Sequence, residues 1–218
     1  MKIFFIIIAV LISCSRQEEK KEAAVQPEKP AEQKMKRLIF FGDSLTAGYG
    51  LLPEENYVHL ISEKLKQEGF NLEVVNAGVS GDTTATGLAR LDWVIKKGAD
   101  YFVLELGAND SMKGISISEI RSNLKKIISR VREKNPEVKI LLVPMKVFPN
   151  YGPKYGKQFE KLYKEISEEE NVPLSPFLLE KVAGIRKLNL PDGIHPTAEG
   201  HKLLFSTMYE PVKNLLKD

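Results

Sequence analysis

The sequence predicts an α/β protein, a three-layer α/β/α sandwich built on a five-stranded parallel sheet. Three observations predict it. Short apolar runs alternate with segments of helical period from residue 37 to the end. The runs LIFF, VLEL and KILLV show no polar alternation, as expected of strands covered on both faces. Strand and helix alternate throughout, which places successive strands side by side and parallel through helical crossovers.

The elements follow in order. Arg37–Phe41 is the first strand, and Tyr57–Glu68, stopped by Gly69, is the first long helix. Leu72–Asn76 is the second strand, followed by a helix over Thr83–Lys97 that Gly98 stops. Tyr101–Leu106 and Lys139–Val143 flank a helix over Ser116–Lys134. Tyr155–Glu170 precedes a short fifth strand, Val172–Leu174, and Ala198–Leu216 closes the chain as a helix. In such sheets ligands bind outside the C-terminal strand ends, so the loops after the strands carry the chemical interest.

Residues 1–36 are set apart from this domain. Lys2 precedes an unbroken apolar run, Ile3–Ile12, which at 1.5 Å per residue reaches about 15 Å, half of a ~30 Å hydrocarbon core. It reads as the core of a signal peptide rather than a membrane span. Its end, Leu11-Ile12-Ser13-Cys14, resembles a bacterial lipobox, and Cys14 is the only cysteine of the chain. Residues 1–14 are therefore expected to be a lipoprotein signal with a lipidated Cys14, where several acyl chains on one residue give stable anchoring. Residues 15–36 mix both charge signs with Pro27 and Pro30 and hold few large apolar side chains, the composition of a disordered tether. Residues 37–218 form one domain. The expectation is an exported bacterial lipoprotein, periplasmic or at the cell surface, with Ser15 favouring the outer membrane by resemblance to sorting signals. The net charge is +3 over 218 residues, with no basic patch, so no nucleic-acid partner is expected. A monomer is expected.

Four loops hold candidate chemistry. After the first strand comes Gly42-Asp43-Ser44-Leu45, a serine flanked by small residues where a nucleophile meets a crevice. Read as structure alone, Asp43 or Ser44 would be a helix N-cap. The phosphate-loop patterns and the G-x-S-x-G elbow are absent. Of three histidines, His59 and His201 fall inside helical patterns, whereas His195 lies in Asp192-Gly193-Ile194-His195-Pro196. Pro196 disfavours a helical His195, and Asp192 is near enough in sequence to orient the ring, leaving Nε2 free to take a serine proton. A metal site from Asp192, His195 and Glu199 lacks a second ligand cluster, and neither metal nor cofactor is expected. The loops holding Gly81 (GVSGDTT) and Asn109 (GAND) could supply N–H donors, though each alone is also an ordinary turn or cap.

Together, GDSL at Ser44, GVSGDTT at Gly81, GAND at Asn109 and the Asp192-x-x-His195 pair resemble the ordered blocks of the SGNH (GDSL) hydrolase family. NAGVSGDTT, GLARL, LELGAND, FPNYGPKYGKQFEKLY, NVPLSPFLLEKV and DGIHP are most similar to its bacterial thioesterase I/lysophospholipase/arylesterase type. The resemblance spans residues 37–218 and implies a flavodoxin-like SGNH-hydrolase fold. Ala108 departs from it, standing where relatives often have glycine. The resemblance implies Ser44 as nucleophile, His195 as base, Asp192 as its orienting acid, and an oxyanion hole from Ser44, Gly81 and Asn109.

The family also implies an ester or lipid substrate. An exported enzyme held at a membrane meets lysophospholipids rather than cytosolic acyl-CoA, so a carboxylesterase/lysophospholipase, with thioesterase activity a further option, is expected. Met112, Ile115 and Tyr151 are expected to line the acyl crevice. The alternatives are a carbohydrate or peptidoglycan O-acetylesterase and a non-catalytic surface lipoprotein.

Overall fold

The computed structural model describes residues 35–147 and 151–217. The signal segment with Cys14, and the tether as far as residue 34, lie outside the described residues. Lys36, read above as the end of the tether, is the first rung of a strand, where it pairs with Leu72 and its Nζ donates to the Tyr101 hydroxyl.

Four parallel strands form the sheet, in the order β2-β1-β3-β4: β1 (Lys36–Gly42), β2 (Leu72–Gly78), β3 (Tyr101–Glu105) and β4 (Lys139–Leu142). The expected fifth strand shrinks to a single parallel bridge between Leu142 and Leu174. Pro173 accepts from the Leu142 N–H but has no N–H of its own to extend the ladder, and Pro176 repeats the interruption.

The central strands are buried on both faces. Leu38, Ile39, Phe40 and Phe41 are all inaccessible to solvent. Phe40 meets the Tyr57 ring of α2 (Tyr57–Gln67) edge-on at 6.0 Å. Phe41 points the other way, toward Gly87 of α3 (Thr84–Val94), whose lack of a side chain lets the helix approach. α2 packs with α7 (Ala198–Leu216), while α3 packs with α5 (Ile117–Lys134) and α5 with α6 (Pro153–Glu170). The short helices α1 (Ser44–Ala47) and α4 (Ala108–Met112) follow β1 and β3 directly. From β1 the chain turns to β2 on one side and to β3 on the other, so the loops after β1 and β3 border the switch point where crevices form.

Candidate active site

Asp43 and Ser44 divide the two roles that the sequence left open. Asp43 is the N-cap of α1, its Oδ1 accepting from the Leu45 N–H at 3.0 Å, while the Ser44 hydroxyl is left for other work. Gly42 has no room for a side chain. An added Cβ would lie 2.2 Å from Thr46 Oγ1 and 2.4 Å from Glu105 Oε2.

His195 Nε2 lies 2.9 Å from Ser44 Oγ, and His195 Nδ1 lies 2.7 Å from Asp192 Oδ2. Asp192 Oδ1 accepts the backbone N–H groups of Ile194 (2.8 Å) and His195 (3.0 Å), so the carboxylate clasps the loop that carries the ring. Gly193 makes that tight clasp possible with φ 71°. The backbone N–H of His195, then its imidazole and the Ile194 N–H, hold the Asp192 pKa down at about 2. As a carboxylate it only accepts, which assigns the imidazole proton to Nδ1 and turns the Nε2 lone pair toward Ser44. The Tyr49 ring lies against the imidazole, with centroids 4.4 Å apart.

N–H donors face the same space. Among the described residues no acceptor takes the backbone N–H of Ser44 or Gly81. The Asn109 amide nitrogen donates to Asp43 Oδ2 (3.1 Å) and to the Asp82 carbonyl (3.0 Å); both partners are acceptors, which orients the NH₂. The loops are tied to one another. Asp110 of α4 accepts the Thr84 N–H (2.8 Å) and hydroxyl (2.5 Å), holding the start of α3. Arg90 donates to the carbonyls of Gly42 (3.1 Å) and Ala77 (2.8 Å) and pairs with Asp82 (2.5 Å), joining the ends of β1 and β2.

Beneath Ser44 lies a polar group that sequence reading missed. Glu105 is fully buried; its Oε2 accepts from Thr46 Oγ1 (2.8 Å) and the Asp43 N–H (3.2 Å), while Oε1 has no hydrogen-bond partner among the described residues. Burial first, then the neighbouring Asp43 charge, raises its pKa well above the carboxylate range. Burial likewise pushes Asp43 up to about 6, opposed first by the Leu45 N–H. The signal was present: a charged residue ends an otherwise apolar strand, VLEL.

A crevice of about 430 Å³ opens over these groups, lined on its apolar side by Leu45, Met112, Met145, Phe177, Leu179 and Ile194. Met112 lines it, whereas Ile115 and Tyr151 are not among its lining residues. Ile115 packs against the core, and the Tyr151 hydroxyl donates to the Met112 carbonyl (2.9 Å). Phe177 and Lys146, whose Nζ sits 5.2 Å from the Phe177 ring centroid, were missed because neither bears a catalytic group and only tertiary packing brings them to the crevice. Glu199, weighed as a metal ligand, pairs instead with Lys202. His59 is exposed on α2, and His201 is buried.

The chain is similar along most of its length to known esterases. It is 36% identical over 180 residues to the esterase TesA of Pseudomonas aeruginosa, covering 82% of this chain and 89% of that protein. It is 33% identical over 180 residues to thioesterase 1/protease 1/lysophospholipase L1 of Escherichia coli K12, covering 82% and 84%. The crystal structure of a psychrotrophic esterase, EstA from Pseudoalteromonas sp., inhibited by monoethylphosphonate, superposes with a TM-score of 0.79 at 31% identity, covering 84% of this chain and 99% of that one. Residues 40–203, which contain Ser44, Gly81, Asn109, Asp192 and His195, match the GDSL-like lipase/acylhydrolase family, and the chain belongs to that family of esterases.

Proposed function

We propose that the protein hydrolyses lysophospholipids and other single-chain carboxylic esters through an acyl-enzyme on Ser44, as an exported protein held at a membrane by a lipidated Cys14. The observation that carries the chemistry is the line Ser44 Oγ–His195 Nε2 (2.9 Å) and His195 Nδ1–Asp192 Oδ2 (2.7 Å). Ser44 Oγ adds to the ester carbonyl carbon while its proton passes to Nε2, and Asp192 stabilises the imidazolium. The N–H groups of Ser44 and Gly81 and the Asn109 amide hold the oxyanion. For Asn109 the oxyanion competes with Asp43 and the Asp82 carbonyl, which take its hydrogens in the free enzyme. Collapse breaks the carbonyl–oxygen bond, and the leaving alkoxide takes the proton from Nε2. Water then adds to the acyl-enzyme, giving its proton to Nε2, and the acid departs as Ser44 is reprotonated.

The apolar wall of Met112, Met145, Phe177, Leu179 and Ile194 supports an acyl chain over an acetyl group, and with it a lipid ester over an acetylated sugar. The names of the relatives, which include esterase and lysophospholipase, support the same class. The membrane placement rests on the sequence of residues 1–14. The test is a chain-length series of p-nitrophenyl esters followed by a lysophospholipid, with Ser44→Ala as control. Turnover rising from acetyl to medium chains and vanishing in Ser44→Ala is expected. Acetyl esters turned over fastest would establish the O-acetylesterase alternative instead, and a Ser44→Ala enzyme with normal turnover would remove the nucleophile.

A further inference from the structure

Trp93, the only tryptophan of the chain, stands on the outer face of α3 with 81% of its surface exposed, more than any other large apolar side chain described. Indole is usually buried in folded proteins, and its apolar body with a polar N–H suits the headgroup level of a bilayer. Lys96 and Lys97 follow within one turn, and neither has an ion-pair partner among the described residues. Beside them Arg130 pairs with Asp92 at 3.5 Å, and Lys134 and Glu133 line the same shallow hollow. Lys96 and Lys97 thus add two cations beside a hollow in which Arg130 and Lys134 face Asp92 and Glu133.

This cluster lies where the chain enters the fold. The Gly98 carbonyl, directly after Lys97, accepts from Arg37 Nη1 (2.5 Å), and Asp100 Oδ2 accepts the Arg37 N–H (2.7 Å). Met35 and Lys36, the first residues described, are therefore next to this end of the sheet, and the 34 residues before them contain the apolar run Ile3–Ile12. α3 begins at Thr84, beside Asp110 of the site, and runs back along the sheet, so its 11 residues and the following turn put the cluster roughly 20 Å from the crevice.

We infer that Trp93, Lys96 and Lys97 form a docking surface for an anionic lipid bilayer, the one to which the N-terminus is tethered. The inference rests on the anchored reading above. Docked this way, the domain turns its crevice toward the aqueous side, where single-chain lipids that leave a bilayer are within reach.

The lone indole is its own reporter. The full chain is mixed with vesicles of equal parts phosphatidylglycerol and phosphatidylcholine, and Trp93 emission is read alongside co-sedimentation. Docking predicts a blue shift and strong quenching when the phosphatidylcholine is brominated. At about 1 kcal/mol per surface cation, Lys96→Gln with Lys97→Gln should weaken that signal roughly 30-fold while p-nitrophenyl ester turnover stays unchanged. Co-sedimentation with unshifted, unquenched emission would overturn docking and leave the tether standing. Neither sedimentation nor shift would overturn both. A shift that survives the double substitution overturns the electrostatic surface. A blue shift that grows with protein concentration and ignores bromine would assign Trp93 to contact between copies.

Discussion

His195 and His201 lie six residues apart, yet their surroundings give them opposite tasks. His195 sits on a loop clasped by an exposed carboxylate, with both ring nitrogens engaged and a serine hydroxyl 2.9 Å away. His201, which closes the first turn of α7, is 1% exposed, and its Nδ1 accepts the Tyr57 N–H at 3.1 Å. That N–H is an orphan donor at the start of α2, so His201 caps a neighbouring helix. Burial lowers its pKa from 6.5 to about 4, and the positive end of α2 also disfavours a second charge there. A carboxylate partner makes an imidazole a proton carrier; a buried N–H partner makes one a fixed acceptor.

The contrast can be broken from either side. The largest effect is expected from His195→Ala: kcat should fall about 10⁴-fold or more with the melting temperature nearly unchanged, measured by p-nitrophenyl ester turnover and thermal unfolding. Asn109→Ala, which removes a donor but no proton carrier, should lower kcat about 10²–10³-fold with a small change in KM. His201→Ala should leave kcat per folded molecule within about twofold while removing about 2–3 kcal/mol of stability through the cavity and the uncapped Tyr57 N–H. The same residue has a pH signature. The unfolded chain takes up the His201 proton near pH 6.5 and the folded one only near 4, so stability should fall as pH drops through that window. Denaturant unfolding of His201→Gln should show a flatter decline; an unchanged slope would assign the acid sensitivity elsewhere. Tyr49→Ala, which uncovers one face of the His195 ring, should cost less than about tenfold in kcat.

The sequence showed these regions unequally, for physical reasons. Strand positions were readable because double burial demands continuous apolar runs, and Leu38–Phe41 meets that demand in full. The fifth strand failed because an apolar pattern is silent about donors, and Pro173 withholds one. The Asp192–His195 pair was legible because three residues of separation across one glycine leave few other geometries. The crevice wall was less so: Phe177, Met145 and Lys146 come together only through tertiary packing, which also brings the Tyr151 hydroxyl to the Met112 carbonyl. Nothing local told His201 from a solvent-facing helix residue, since its partner is 144 positions away.

The glycine beneath the nucleophile has a practical consequence for anyone redesigning this enzyme. At position 42 even one methyl group would strike Thr46 and the buried Glu105, and at position 78 it would strike the Ala47 backbone N at 2.2 Å. The floor under Ser44 thus admits no new atoms. Changes of selectivity have to be built from the rim, at Lys146, Phe177 and Ile194, side chains that line the crevice without forming the turn that holds the serine.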